Sequence, residues 1–158
     1  MDRRKSLRLK NYDYSKSDYY YVTILPQNNK YPFCKIISGQ IYLTDIGNII
    51  DLKWKWLFEK HEHLSIDEYV IMPDHFHGIL HILPEIVRDG RDRPLQYLKR
   101  KPLPQLIGSF KTISSKAIHQ AGFYDFNWHR SYHERILREN EIGIKRKYIK
   151  LNPLRYQK

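Results

Sequence analysis

The length of the chain, 158 residues, suits one domain with a buried core and is too short for two ordinary domains. The sequence has no run of about 18 apolar residues, which excludes a membrane-spanning helix. Its basic N-terminus is not followed by the apolar segment of a secretory signal. A single cysteine, Cys34, excludes a disulfide within the chain. We therefore expect a protein of the reducing cytoplasm.

Positive charge and aromatic rings stand out in the composition. Lys and Arg number 28 against 17 Asp and Glu, for a net charge of +11, and thirteen residues are tyrosine. Basic and aromatic side chains together suit single-stranded nucleic acid, because phosphates meet the cations and unstacked bases meet the rings. The alternative is a basic cytosolic protein whose aromatic residues fill its core. The composition favours a polyanionic partner without identifying it.

The hydrophobic pattern predicts an α+β fold. Inserting helices into a mostly antiparallel sheet favours a ferredoxin-like sandwich, with helices on one face and a C-terminal helix that carries Tyr148. We expect one domain over residues 1–158, with a basic N-terminal arm at 1–18 and a mobile loop at 84–104. The predicted strands are 19–25, 34–43, 66–72, 75–83 and 126–137, and the predicted helices are 45–60, 103–121 and 140–152. Pro153 is expected to end the last helix, and Asn140 to cap it.

The segment Met72-Pro-Asp-His-Phe-His-Gly-Ile-Leu80 carries the first chemical motif. Side chains alternate along a strand, so the two imidazoles of His75 and His77 project side by side and can chelate one divalent ion. Alternation assigns Val70, Met72, Phe76, Leu80 and Ile82 to one apolar face and His75, His77 and His81 to the other. The alternative is a pair of exposed strand histidines. His61-Glu-His63 has the same spacing, and we interpret it as solvated surface.

The segment Arg146-Lys-Tyr-Ile-Lys-Leu-Asn-Pro153 carries the second motif. On a helix, Tyr148 and Asn152 lie one turn apart on the same side. Asn152 can offer an amide oxygen to a metal, and Tyr148 can offer a hydroxyl to a substrate. The alternative is a tyrosine that packs a terminal helix and an asparagine that ends it.

Together, the two motifs resemble those of the HUH single-tyrosine nucleases, in particular the IS200-like and REP-associated tyrosine transposases. The resemblance extends from about residue 19 to residue 153. It includes Gly108-Ser-Phe-Lys-Thr112 and the tryptophan-led segment 127–138. Asn152 stands where the IS200-like members carry glutamine, and an asparagine followed by proline points to the REP-associated branch.

The resemblance implies a metal-dependent endonuclease and strand transferase that acts on single-stranded DNA. It implies Mg²⁺ or Mn²⁺ as the cofactor, with His75, His77 and Asn152 as ligands. It implies Tyr148 as the catalytic nucleophile, with a 5′-phosphotyrosine intermediate that stores the bond energy for rejoining. The implied partner is single-stranded or hairpin DNA, and a homodimer is left open.

Four basic residues near the expected site are candidates for contacts with DNA phosphates: Lys111, Arg130, Arg146 and Lys147. Each is alternatively an ordinary solvated charge. Two rival functions also remain at this stage, a non-catalytic nucleic-acid-binding domain of ferredoxin-like fold and a metallonuclease in which water attacks. Covalent attachment of an oligonucleotide to the protein in the presence of metal separates the three functions.

Overall fold

The computed structural model describes residues 11–84 and 100–156. Most of the predicted basic arm (residues 1–10) and of the predicted loop (residues 85–99) lies outside the described residues. In the described part, the chain forms six strands and three helices. In chain order these are β1 (Asp18–Ile24), β2 (Cys34–Ile37), β3 (Gln40–Leu43), α1 (Asp45–Lys60), β4 (Leu64–Ile71), β5 (Phe76–Ile82), α2 (Leu103–Gln120), β6 (His133–Leu137) and α3 (Glu139–Arg155).

The main sheet has the strand order β4-β5-β1-β6, and each neighbouring pair is antiparallel. This order arises because α1 carries the chain from β1 to the far edge, and β5 then returns between β4 and β1. Helix α2 connects β5 to β6 at the opposite edge. The predicted ferredoxin-like sandwich is therefore confirmed.

Two hydrophobic clusters cover the two faces of the sheet. The larger one packs α1 and α2 against the sheet and has the fully buried Trp54, Phe76 and Phe110 at its centre. The smaller one lies under α3, where Ile149 packs with Ile79. Within the described residues, no helix is long and apolar enough to cross a membrane. Helices α1 and α2 form one layer and α3 the other, so the sheet separates them.

Two predicted strands differ from the structure. Residues 34–43 form a hairpin rather than one extended stretch, because Ser38 and Gly39 both adopt positive φ angles of 51° and 77° and reverse the chain. In the predicted strand 126–137, only the last five residues join the sheet. Trp128 makes an isolated bridge to Pro26 instead.

The predicted apolar face of the metal-motif hairpin was wrong for Val70 and Met72. Both residues lie in the smaller cluster with Ile79, on the face that His77 shares. The reason is the pairing of β4 with β5, in which Val70 is the cross-strand partner of His77. Partners across a sheet share a face, whereas simple alternation through the turn at Pro73 does not hold.

Helix α3 is longer than predicted at both ends. It begins at Glu139 rather than after Asn140, and the carboxylate of Glu141 accepts a hydrogen bond of 3.0 Å from the backbone N–H of Arg138. The helix also continues through the buried Pro153 to Arg155. Proline removes one backbone hydrogen bond, and its position in the last turn limits that loss.

Candidate active site

His75 and His77 lie next to each other on the α3 face of the sheet. His77 is the second residue of the central strand β5, and His75 immediately precedes that strand. Their ring centroids are 4.5 Å apart. Between them, Phe76 points into the opposite cluster, with its ring centroid 4.7 Å from that of Trp54. The anchored phenylalanine holds both imidazoles on one side of the strand.

Hydrogen bonds to Nδ1 orient both imidazole rings. In His77, Nδ1 lies 2.8 Å from the hydroxyl of Tyr21 and 2.8 Å from the hydroxyl of Thr23, its cross-strand partner on β1. In His75, Nδ1 lies 2.7 Å from a carboxylate oxygen of Asp74. When Nδ1 carries the ring proton, it donates to these oxygens, and the lone pair of Nε2 is the one available to a ligand.

Burial keeps the His77 ring neutral. Its exposed fraction is 7%, and this desolvation, reinforced by His75 and Lys145, lowers the pKa of His77 to about 3. Burial likewise raises the pKa of the Tyr21 phenol to about 12. Both side chains are therefore uncharged near neutral pH, which is the state in which an imidazole offers a lone pair.

Tyr148 lies against His77 from the α3 side. The two ring centroids are 5.8 Å apart, and the tyrosine residue is 39% exposed. The ammonium of Lys145 lies 5.3 Å from the centroid of the Tyr148 ring and 4.5 Å from that of Tyr21. Asn152 follows Tyr148 by one helical turn and is half-buried. The structure thus brings His75, His77 and Tyr148 together, with Asn152 one turn farther along α3.

Two ion pairs attach α3 to the edge strand β4. Arg146 donates to both carboxylate oxygens of Asp67, at 2.8 Å from Nε and 2.6 Å from Nη2. Lys150 lies 2.8 Å from a carboxylate oxygen of Glu68. The β4–β5 register shifts between Ile66 and Tyr69, and this irregularity contains both acidic residues.

The four predicted phosphate contacts occupy different environments. Arg146 forms an ion pair with Asp67. Lys111 donates hydrogen bonds of 3.0 Å to the backbone carbonyls of His129 and Ser131. Arg130 and Lys147 are exposed. Arg130 and Lys111 both line a cleft of about 640 Å³ between α2 and residues 127–130.

The other histidine motif lies apart from this site. His61 and His63 immediately precede β4, and their ring centroids are 5.6 Å apart. His81, which shares the His77 face as predicted, stacks on Tyr19 at 3.9 Å farther along the strand. Within residues 11–84 and 100–156, no group of three His, Cys, Asp or Glu side chains is arranged to hold a metal.

Three neighbours of the site were missed from the sequence: Tyr21, Thr23 and Lys145. Strand alternation was the available signal for the first two, because Tyr20 and Val22, which alternate with them along β1, belong to the opposite cluster. Their contact with His77 depends on the register of β1 against β5. Lys145 precedes Tyr148 by three residues, which is one helical turn.

Comparison with known proteins places this arrangement in context. No protein-family model matches the chain. An uncharacterized protein of Haemophilus influenzae is 35% identical over 164 residues, which cover 98% of this chain and 90% of that protein. The two chains belong to one family.

Solved structures identify the fold. The structure of a REP-associated tyrosine transposase bound to a REP hairpin aligns with a TM-score of 0.61 at 18% identity, over 93% of this chain and 72% of that one. The crystal structure of a candidate transposase from Deinococcus radiodurans R1 aligns with a TM-score of 0.52 at 13% identity, over 90% of this chain and 94% of that one. The chain has the fold of the tyrosine transposases. At this level, the resemblance inferred from the two motifs is confirmed.

Proposed function

We propose that this chain nicks and rejoins single-stranded DNA, with Tyr148 as the nucleophile, at a divalent-metal site that includes His75 and His77. The proposal rests on the proximity of three side chains in a chain that has the tyrosine-transposase fold. The imidazoles of His75 and His77 are 4.5 Å apart, and the ring of Tyr148 is 5.8 Å from that of His77. A non-catalytic binding domain requires no such meeting.

The donor set fits a divalent metal. In both histidines, Nδ1 is held by oxygen atoms of neighbouring side chains, which is the usual outer-shell arrangement for imidazoles that coordinate through Nε2. The amide oxygen of Asn152 is the proposed third ligand, because helical spacing puts it on the Tyr148 side of α3. Mg²⁺ or Mn²⁺ held by these three residues would supply Lewis-acid polarisation of a phosphate oxygen. Imidazole ligands do not by themselves select one metal.

The proposed reaction exchanges one phosphodiester for another. The phenol oxygen of Tyr148 forms a bond to phosphorus as the bond from phosphorus to the 3′ oxygen breaks. The phenol proton goes to solvent, and the leaving 3′ oxygen takes up a proton to become a 3′-OH. The product is a 5′-phosphotyrosine, and attack by another 3′-OH reverses the exchange and joins two strands without ATP. The proposed reaction needs a fixed metal ligand and an accessible nucleophile. The burial of His77 and the partial exposure of Tyr148 suit these two roles.

The proposed partner is single-stranded or hairpin DNA. The net charge of +11 and the exposed Arg130 and Lys147 support a polyanionic ligand. The REP hairpin is the ligand of the similar transposase, which makes a folded-back single strand the first DNA to test. A homodimer stays a prediction.

The test is metal-dependent covalent attachment of DNA. Hairpin oligonucleotides with single-stranded flanks are labelled at either the 5′ or the 3′ end and incubated with the protein, with Mn²⁺ or with EDTA. A 5′-phosphotyrosine leaves the 3′ label on the protein and releases the 5′ label with a free 3′-OH. Cleavage that leaves neither label on the protein would indicate attack by water. Binding without cleavage in Mg²⁺ and Mn²⁺, across a library of flanking sequences, would favour the non-catalytic domain.

A further inference from the structure

Lys145 holds a positive charge between two aromatic rings of the site. It is half-buried on α3, and its ammonium lies 4.5 Å from the centroid of the Tyr21 ring and 5.3 Å from that of Tyr148. The ammonium is therefore at the meeting point of the strand that orients His77 and the helix that carries Tyr148.

Lys145 differs in its partners from Arg146 and Lys150 on the same helix. Arg146 is paired with Asp67 and Lys150 with Glu68. Within residues 11–84 and 100–156, no carboxylate lies within ion-pair distance of Lys145. A half-buried cation loses part of its hydration, and ring faces compensate only part of that loss. Its N–H groups still need oxygen acceptors.

A phosphodiester at the site would supply those acceptors. A phosphate within reach of the Tyr148 hydroxyl and of His77 is also near the Lys145 ammonium, because this ammonium contacts the Tyr148 ring. Two non-bridging oxygens of the phosphate carry its charge. A fixed ammonium beside them stabilises the negative charge that builds up as phosphorus is attacked.

We propose that Lys145 is a further catalytic residue, which binds a non-bridging oxygen of the scissile phosphate during its transfer to Tyr148. This inference rests on the proposed nicking and joining function. The bond changes are those of the exchange described above, and Lys145 neither gives up nor receives a proton. Its role is to keep a positive charge beside the non-bridging oxygens of the phosphate.

The experiment compares the variants Lys145→Met and Lys145→Arg with Lys150→Met. Methionine keeps the length of the side chain and removes the charge, and arginine keeps the charge. Lys150→Met removes one charge from the same helix on its Glu68 side. Three quantities are measured: the rate of adduct formation at saturating DNA with Mn²⁺, the DNA affinity in EDTA, and the melting temperature.

We expect Lys145→Met to slow adduct formation at saturating DNA by about 100-fold, the usual effect of removing one preorganised transition-state contact. The DNA affinity and the melting temperature should change little, Lys145→Arg should recover most of the rate, and Lys150→Met should keep it. An undiminished rate in Lys145→Met would overturn the inference, as would an equal loss in Lys150→Met. Failure of the unsubstituted protein to form any adduct would instead overturn the proposed function, and the inference with it.

Discussion

The guanidinium of Arg146 forms a two-bond ion pair with the carboxylate of Asp67 and thereby fixes the helix that carries Tyr148 onto the edge strand of the sheet. The Asp67 side chain is only 11% exposed, whereas that of Arg146 is 44% exposed. The pair occupies the Nε and Nη2 donors of a basic residue that lies two positions before the proposed nucleophile. It also makes the seating of α3 testable.

The strength of this pair can be measured with a double-mutant cycle. Asp67→Asn and Arg146→Met should each destabilise the protein, and their combination should cost less than the sum of the two, with a coupling free energy of about 1 kcal/mol. Urea unfolding of the four proteins gives this value. As a matched control, the more exposed pair of Asp51 and Lys55 on α1 should couple by only about 0.3–0.5 kcal/mol. Equal coupling in the two cycles would contradict the role assigned to Asp67.

The same pair predicts a pH dependence of stability. Burial raises the pKa of Asp67, but the hydrogen bonds from Arg146 and from the Glu68 amide outweigh it, and the net pKa is lowered. A lowered carboxylate pKa contributes stability above the unfolded pKa of about 4, and this contribution disappears as the pH falls through the folded pKa. The stability difference between the unsubstituted protein and Asp67→Asn should therefore be largest near pH 7 and shrink below about pH 4. A difference that stays constant down to pH 2 would contradict the assignment.

The proposed metal site predicts a loss of catalysis without a loss of DNA binding. Replacing both His75 and His77 with alanine should abolish metal-stimulated cleavage and leave binding to single-stranded DNA mostly intact, because the proposed surface contacts with phosphates, Arg130 and Lys147, are unchanged. Gel assays with Mn²⁺ and affinity measurements in EDTA separate the two effects. His61→Ala with His63→Ala is the matched control, since this pair has the same spacing outside the site. The metal hypothesis fails if the variant without His75 and His77 retains metal-stimulated cleavage.

Salt dependence should separate surface cations from structural ones. Arg130→Gln and Lys147→Gln should each reduce the slope of log affinity against log salt by about 0.7, the value for one phosphate contact on a single strand. Lys111→Met should mainly lower the melting temperature, because its ammonium joins α2 to the carbonyls of His129 and Ser131. An affinity that does not respond to salt would exclude nucleic acid as the partner.

The fold was largely predictable because its signals are local. Helix α1 begins where Thr44 caps it, with the hydroxyl accepting a hydrogen bond of 3.2 Å from the Gly47 N–H, and its buried stripe has helical spacing. Strand β1 could be predicted in the same way, because aromatic and β-branched residues follow one another in its sequence. The end of α3 was not predictable in the same way, because packing of the buried Pro153 outweighs its local preference.

The residues of the candidate site could be proposed from the sequence, but their surroundings could not. The spacing of His75 and His77 and of Tyr148 and Asn152 is readable along the chain. Tyr21 and Thr23 contact His77 although they lie 56 and 54 residues before it in the sequence. These contacts depend on the register of the strands. Asp67, the partner of Arg146, lies within a register shift of β4, which leaves no simple mark in the sequence. Local sequence patterns do not show which distant segments pair with each other.

The most direct test of the central claim is adduct formation by Tyr148→Phe. The substitution removes one oxygen from a partly exposed ring, so folding and DNA affinity should survive. Tyr132→Phe and Tyr156→Phe are matched controls. With a 3′-labelled oligonucleotide and Mn²⁺, we predict labelled protein from both controls and none from Tyr148→Phe, with strand joining lost in parallel. Cleavage by Tyr148→Phe at an undiminished rate would show that water attacks the phosphate, and would contradict the assignment of this chain as a tyrosine-nucleophile enzyme.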